Sequence, residues 1–228
     1  MKKINDFPEH SEEFTEALLR FSHEIRNPLC LLDSELHDLF SSYPELAKLP
    51  QWDTITENLA YIHDLLNEFS QYSNARRLTL TTTDLSPYLS TVTNTYKTIL
   101  DYLGIAFKVH FPDSLPALPI DRLKVRQALL NLIRNSHEAI THSHGEISVC
   151  GTLQENGQVC ISVSDNGCGI DPSLIPELCT PFVSHKANGS GMGLAIARQI
   201  AEAHGGHVEI TSTPGVGTCV RLFLSDTK

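Results

Sequence analysis

Four short clusters in the second half of the chain have the residue types needed to hold an anion and a hard cation. Asn131 and Asn135, in NLIRNSHEA, are four apart, so on a helix their amides line one face a single turn apart. An amide oxygen is a hard, neutral ligand that suits Mg2+ already bound by phosphates. Asp165 opens DNGCG directly after a strand-like run; a carboxylate there can accept from an exocyclic amine while Gly167 and Gly169 let a ligand approach closely. Gly189, Gly191 and Gly193, in GSGMGLA, open a helical pattern, placing free N–H groups and a positive dipole end where an anion can sit. Gly215 and Gly217 then make a tight turn before the last strand. Taken singly, each cluster also describes an ordinary turn or a solvated helix face. Their order and spacing set them apart.

In the first half the chemistry centres on FSHEIRNPL (21–29). With Leu18, Ile25, Leu32 and Leu39 at one seam position and Phe14 and Phe21 at the other, His23 falls opposite the seam, facing solvent. Glu24 is its neighbour and Asn27 lies one turn on, sharing its face. Imidazole near pH 7 is largely neutral and nucleophilic. Pro28 follows, leaving a carbonyl unpaired and inviting a bend.

These residues need elements to position them. Two helical stretches, the second stepping through Trp52, Ile55, Leu59, Ile62, Leu66 and Phe69, flank a turn marked by Pro44 and Pro50. They form a helical hairpin over about residues 9–75. A lone hairpin cannot bury both seams, so pairing into a dimeric four-helix bundle is the natural completion. TLTTTDLS (79–86) breaks the pattern and marks a boundary, giving domains 1–77 and 78–228. Beyond it the pattern predicts a helix over 85–103, a strand over 105–111 and a helix over 121–140 opened by Asp121 as N-cap. A hairpin follows around ENG (146–165), then a glycine-rich loop over 166–191 and a helix ending near His204 at Gly205-Gly206. Two strands flanking PGVG close the chain. A sheet with helices on one side, an α/β sandwich, fits this order, so the whole chain is α+β.

Composition sets the limits. The chain has 228 residues, with 17 Lys+Arg against 27 Asp+Glu and a net charge of −10, which suggests one or two domains. Hydrophobic residues at 41% and charged residues at 19% indicate a globular protein rather than a disordered one. The acidic balance argues against nucleic acid or an anionic membrane as the main partner, though a phosphate ligand needs only a local positive field. No apolar run approaches the ~20 residues of a membrane span, and no apolar stretch follows Lys2 and Lys3 to make a signal peptide. The six cysteines lack a CxxC pair and read as reduced and mostly core, which points to the cytosol. His137, His142 and His144 lack the acid or cysteine that would complete a metal set and read as a solvated turn, as do His37, His63, His110, His204 and His207. Cys168 carries no cue to a lowered thiol pKa.

In order and spacing, the clusters around Asn131, Asp165, Gly189–Gly193 and Gly215–Gly217 resemble the N, G1, G2 and G3 boxes of the GHKL (Bergerat) ATP-binding fold. TPFVSHK (180–186) resembles its F box, and the likeness runs from Leu78 to Leu224. FSHEIRNPL closely resembles the H box of sensor histidine kinases of two-component systems, where a bend at the proline is also found. The resemblance implies ATP-dependent phosphorylation of His23 and transfer to an aspartate on the receiver domain of a response regulator. Glu24 would hydrogen-bond the other ring nitrogen, fix the tautomer and take up the proton. Asn135 would hold Mg2+ with Asn131 assisting. Related water-splitting ATPases have a glutamate at the position of Asn131, and an amide cannot be that base, which favours keeping ATP for His23. Arg134 and Lys186 would contact phosphate, Asp165 would read adenine, and the Gly189–Gly193 loop would cradle the phosphates beneath a flexible lid. Gly167, Gly169, Leu194 and Thr218 complete the implied ATP contacts.

His-Glu-x-x-Asn, ending at Asn27, also matches family members that dephosphorylate their regulator, the amide positioning water. The expected assembly is a cytoplasmic homodimer. Because only a handful of residues precede the hairpin, no sensory domain is expected in this chain, and a separate protein or a longer parent chain would supply the signal. Two other readings compete: a non-catalytic phosphotransfer or scaffold protein, and a GHKL ATPase or serine kinase that does not use the hairpin.

Overall fold

The structure, a computed structural model, describes residues 12–184 and 189–225. It divides into two compact units, Met1–Asn74 and Ala75–Lys228.

The first unit is a helical hairpin. Helix α1 (Glu12–Ser42) runs without interruption through Pro28, and a single 3-10 turn (Pro44–Lys48) leads into α2 (Pro50–Ser73). Pro44 and Pro50 each open their segment, where a missing N–H removes no helical hydrogen bond. The helices meet through Arg26, whose Nη2 donates to Asn67 Oδ1 at 3.2 Å, through Asp33 and His63 at 2.5 Å, and through the stacked rings of Phe40 and Trp52. Ser22 and Leu29 on α1 and Leu66 on α2 are buried. Phe21, Leu32, Leu39, Ile55 and Ile62 are exposed, Phe21 at 53%. At about 100° per residue, Phe21, Leu32 and Leu39 lie about 90° round α1 from Ser22 and Leu29, and His23 about 100° round the other way. The apolar face therefore exceeds what the hairpin covers: one part packs inward, a second stripe faces out, and His23 is turned away from both.

The second unit is built on a five-stranded sheet, order β2-β4-β5-β7-β6, formed by β2 (Ala106–His110), β4 (Glu146–Leu153), β5 (Val159–Asp165), β6 (Val208–Thr213) and β7 (Gly217–Leu224). Only β2 and β4 run parallel. Helices α3 (Leu85–Tyr102), α4 (Arg122–Ala139) and α5 (Gly193–Ala203) complete the sandwich. The Thr-rich stretch read as a break is strand β1 (Thr81–Asp84), paired antiparallel with β3 (Ala117–Ile120), and the two units divide earlier, at Asn74.

Asp121 caps α4 as expected, its Oδ1 accepting from Lys124 N at 3.1 Å. It also anchors the incoming chain, since its Oδ2 accepts from Thr79 N at 2.8 Å. Helix α5 stops where expected, with Gly206 N bonded back to Ala201 O at 2.8 Å.

Two further expectations fail. His204 is not solvated but fully buried: its Nδ1 donates to Ile200 O at 2.7 Å and its Nε2 accepts from Asp121 N at 3.0 Å. The cysteines are free but not mostly core, because only Cys160 is buried while Cys30 and Cys168 are exposed. Burial pushes the Cys160 thiol up, against the nearby Arg221 charge.

Candidate functional site

Three adjacent strands carry in-facing side chains in aligned rows. Ile161, Leu222 and Val208 are register partners, then Val163, Val220 and Ile210, then Asp165, Thr218 and Ser212. Because side chains alternate along a strand, all three rows share one face. The first two rows are apolar. The third, at the end of the sheet, is polar, and there the core gives way to a site.

Asp165 Oδ1 accepts from Gly167 N at 2.9 Å and from Thr218 N at 3.3 Å, which fixes the carboxylate at the strand end. Its Oδ2 makes no hydrogen bond among the described residues. Two glycines permit this nesting. Gly169 has φ 67°, and a Cβ there would fall 2.1 Å from Thr213 O; at Gly217, with φ 143°, it would fall 2.0 Å from Asp165 O. Asn166, which carries no assigned role, braces the loop by accepting from Glu146 N and donating to His144 O, each at 2.8 Å. The exposed turn that holds His142 and His144 joins this brace, while His137 lies on α4 instead: His142 Nδ1 accepts from His144 N and its Nε2 donates to Asn166 O at 2.9 Å.

A second cluster forms where α4 meets the start of α5. Asn131 Nδ2 donates to Gly193 O at 3.4 Å. A Cβ on Gly193 would lie 3.7 Å from both Arg134 Nη2 and Asn135 Nδ2, so three side chains of α4 surround the first residue of α5. Leu194 follows in that first turn, half-buried. The preceding residue, Met192, offers no side-chain cap, so among the described residues no cap side chain accepts from the first-turn N–H groups, which can receive an anion. Arg134 Nε also lies 3.9 Å from Glu138 Oε1.

The described ends of the intervening loop come together. A Cβ on Gly191, at φ 72°, would sit 2.6 Å from Val183 O, and neighbouring Phe182 adopts φ 67° without being glycine. Gly189 is half-buried next to this junction. Lys186 lies outside the described residues.

The structure thus brings Asp165, Gly167, Gly169 and Thr218 together at the sheet end, and Asn131, Arg134, Asn135, Gly193 and Leu194 together at the helix junction. His23, Glu24 and Asn27 are all exposed on α1, in the other unit. Sequence reasoning missed Ser212, third member of the polar row. A signal was present: in VEITS, Val208, Ile210 and Ser212 are in phase, so Ser212 is the in-facing polar residue of β6.

Residues 120–228 match the family model described as Histidine kinase-, DNA gyrase B-, and HSP90-like ATPase. The sensor histidine kinase ZraS of Escherichia coli strain K12 is 32% identical over 209 residues, covering 89% of this chain and 43% of the relative. The signal transduction histidine-protein kinase AtoS of the same organism is 27% identical over 209 residues, 92% of this chain and 34% of AtoS. The alginate biosynthesis sensor protein KinB of Pseudomonas aeruginosa is 31% identical over 222 residues, 92% of this chain and 36% of KinB. The chain therefore spans between a third and a half of these relatives' length. Among solved structures, full-length ShkA in complex with AMPPNP superposes with a TM-score of 0.72 at 24% identity, covering 92% of this chain and 45% of that one. Histidine kinase ThkA in complex with the response regulator TrrA gives 0.68 at 22% identity, covering 99% and 68%. At that identity the structures speak to the fold. The matches to these relatives extend across both units, so along its length the chain is similar to sensor histidine kinases.

Proposed function

We propose that the second unit binds Mg-ATP and that the chain transfers the γ-phosphoryl group to His23, then to an aspartate of a response regulator. One observation carries this reading: Asn131, Arg134 and Asn135 converge on the uncapped start of α5, within the same unit as the Asp165 carboxylate. That arrangement suits an anion at one end of a ligand and an exocyclic amine at the other. Arg134 and the N–H groups of Gly193 and Leu194 bind and orient the phosphates, and Asp165 Oδ2 accepts from the adenine amine.

The donors also fit a hard cation. Asn135, with Asn131 beside it, offers neutral amide oxygens, and among the described residues no group of His, Cys, Asp and Glu forms an all-protein metal site. Mg2+ held there with the phosphates supplies neutralisation of charge during phosphoryl transfer.

At His23 one ring nitrogen forms the N–P bond as the bond from the γ-phosphorus to the β–γ bridging oxygen breaks, and ADP leaves with that electron pair. Glu24 hydrogen-bonds the other ring nitrogen, fixes the tautomer and takes its proton. Exposure of His23 supports its reaching both an ATP-loaded unit and a second protein. A complex of ThkA with its response regulator supports the same class of partner for this chain. The exposed stripe of Phe21, Leu32, Leu39, Ile55 and Ile62 supports a homodimer in which two hairpins form a four-helix bundle. Among the described residues no helix is long and apolar enough to cross a membrane, in keeping with catalysis in the cytoplasm, where ATP is found.

Incubation of the protein with Mg-ATP labelled on the γ-phosphate tests this. Acid-labile, alkali-stable label on the protein that vanishes in His23→Gln is the expected result. Nucleotide binding without label would mean a scaffold, and free phosphate without labelled protein would mean an ATPase. A second activity, dephosphorylation of the regulator, rests on Asn27, exposed on the same helix one turn from His23.

A further inference from the structure

Ser212 forms a hydrogen-bond hub in the polar row. Its hydroxyl accepts from Ile170 N at 2.8 Å, lies 2.9 Å from Gly217 O and lies 2.9 Å from the Thr218 hydroxyl. It thereby ties together the loop after Asp165, the turn before β7, and Thr218 itself. A hydroxyl has one proton and two lone pairs. Gly217 O can only accept, so the Ser212 proton belongs on that bond. Both remaining Ser212 sites then accept, one from Ile170 N–H and the other from the Thr218 hydroxyl. Thr218 in turn has committed its only proton to Ser212, and its oxygen can offer lone pairs alone. Its neighbour in the row, Asp165, presents acceptors as well.

We propose that Ser212 is a positioning residue for base selection: it holds Thr218 as an acceptor, so that the row favours a purine with an amino group at position 6 over one with a carbonyl. The proposal rests on the ATP reading above. A 6-amino group donates to this row, whereas a 6-carbonyl faces it lone pair to lone pair. Buried polar groups left unpaired in this way discriminate strongly between otherwise similar ligands.

The test is equilibrium binding to the full chain of the non-hydrolysable imido analogues of ATP and ITP, which share sugar and phosphates and differ in the base edge. Wild type should prefer the adenine analogue. In Ser212→Ala that preference should fall by about tenfold, the worth of one hydrogen bond, through loss of adenine affinity, while Ser212→Thr retains it. In a Thr218→Val background, Ser212→Ala should change the preference no further, since Ser212 acts through Thr218. A preference unmoved by Ser212→Ala, with both analogues weakened alike or neither, overturns the proposal; so does an equal loss in the Thr218→Val background. Should Ser212→Ala fail to fold, Thr218→Val alone decides, because an unchanged preference there leaves Ser212 nothing to act through. If wild type binds neither analogue, it is the ATP reading that fails.

Discussion

His204 joins the two helices that make the site, and its protonation should loosen them. Its Nε2 accepts the Asp121 N–H at the cap of α4, and its Nδ1 donates to Ile200 O in α5. Only the neutral imidazole does both, since a protonated ring turns two N–H groups outward, one of them against the Asp121 N–H. Burial pushes the His204 pKa below its ordinary 6.5, outweighing the Ile200 hydrogen bond and the Asp121 charge that favour the cation. The unfolded chain therefore binds a proton at pH values where the folded chain does not. The His204 contribution is intact above about pH 7 and is lost as pH falls below 6.5, down to the depressed folded value. For a folded state that stays neutral, the loss at pH 5.5 is RT ln(1 + 10), about 1.4 kcal/mol, against almost nothing at pH 7.5. The lone tryptophan, Trp52, sits in the hairpin, so its fluorescence is blind to this unit. Hydrogen exchange of the slowest β5 and β7 amides, corrected for intrinsic rates, reads the right stability. The difference between wild type and His204→Gln should shrink from pH 7.5 to 5.5, by at most about 1.4 kcal/mol. A constant difference across that range would refute the argument.

Other perturbations address the site and the assembly. Asp165→Asn keeps an acceptor for Gly167 N and Thr218 N but sets an NH2 against the base amine, so ATP affinity by calorimetry should fall about 10- to 100-fold with the melting temperature little changed. Gly169→Ala drives a Cβ into Thr213 O at a positive φ; a loss of about 2 kcal/mol should lower melting of the unit by about 4–8 °C in calorimetric scans. Asn27→Ala should leave His23 labelling intact while slowing loss of phosphate from the regulator, and equal rates of loss would count against the second activity. Leu32→Glu should give monomers in sedimentation, and the wild-type dimer should tighten as salt rises from 0.01 to 0.15 M, because like-charged hairpins repel less as the screening length falls to about 8 Å.

What could be read from the sequence was what is local. The helices showed in their periodicity, and Asp121 as a cap and Gly205-Gly206 as a stop are chemistry within one turn. The ENG hairpin pairs strands adjacent in sequence. The residues proposed to hold a nucleotide stand out in the sequence as motifs, because close approach of backbone to a ligand demands glycine at fixed spacings. What escaped notice depends on distant partners. Strand β1 is four residues of Thr and Asp whose partner lies some 36 residues on, so nothing in TLTTTDLS itself distinguishes a strand from a linker. His204 looks like any polar residue before a glycine stop until α4 closes over it. The exposure of Leu32 and Leu39, by contrast, accords with the expectation that a lone hairpin cannot bury both seams, although periodicity does not say which part of the stripe packs inward.

Charge follows the division of labour between the units. Residues 1–74 hold 5 Lys+Arg against 14 Asp+Glu, a net −9, and residues 75–228 hold 12 against 13, a net −1. The acidity that argues against nucleic acid is thus almost wholly the hairpin's, while the unit proposed to take a triphosphate is near neutral. A near-neutral unit needs no strong field to admit an anion; uncapped N–H groups and Arg134 suffice at the point of contact. The hairpin, by contrast, must expose apolar side chains without aggregating, and a strong like charge around Phe21, Leu32 and Leu39 opposes indiscriminate association. Only a partner that covers the whole stripe gains enough apolar contact to overcome that repulsion, and a second hairpin presents the matching surface. On the proposed assembly, then, the charge bears on how hairpins pair rather than on how the second unit takes a nucleotide.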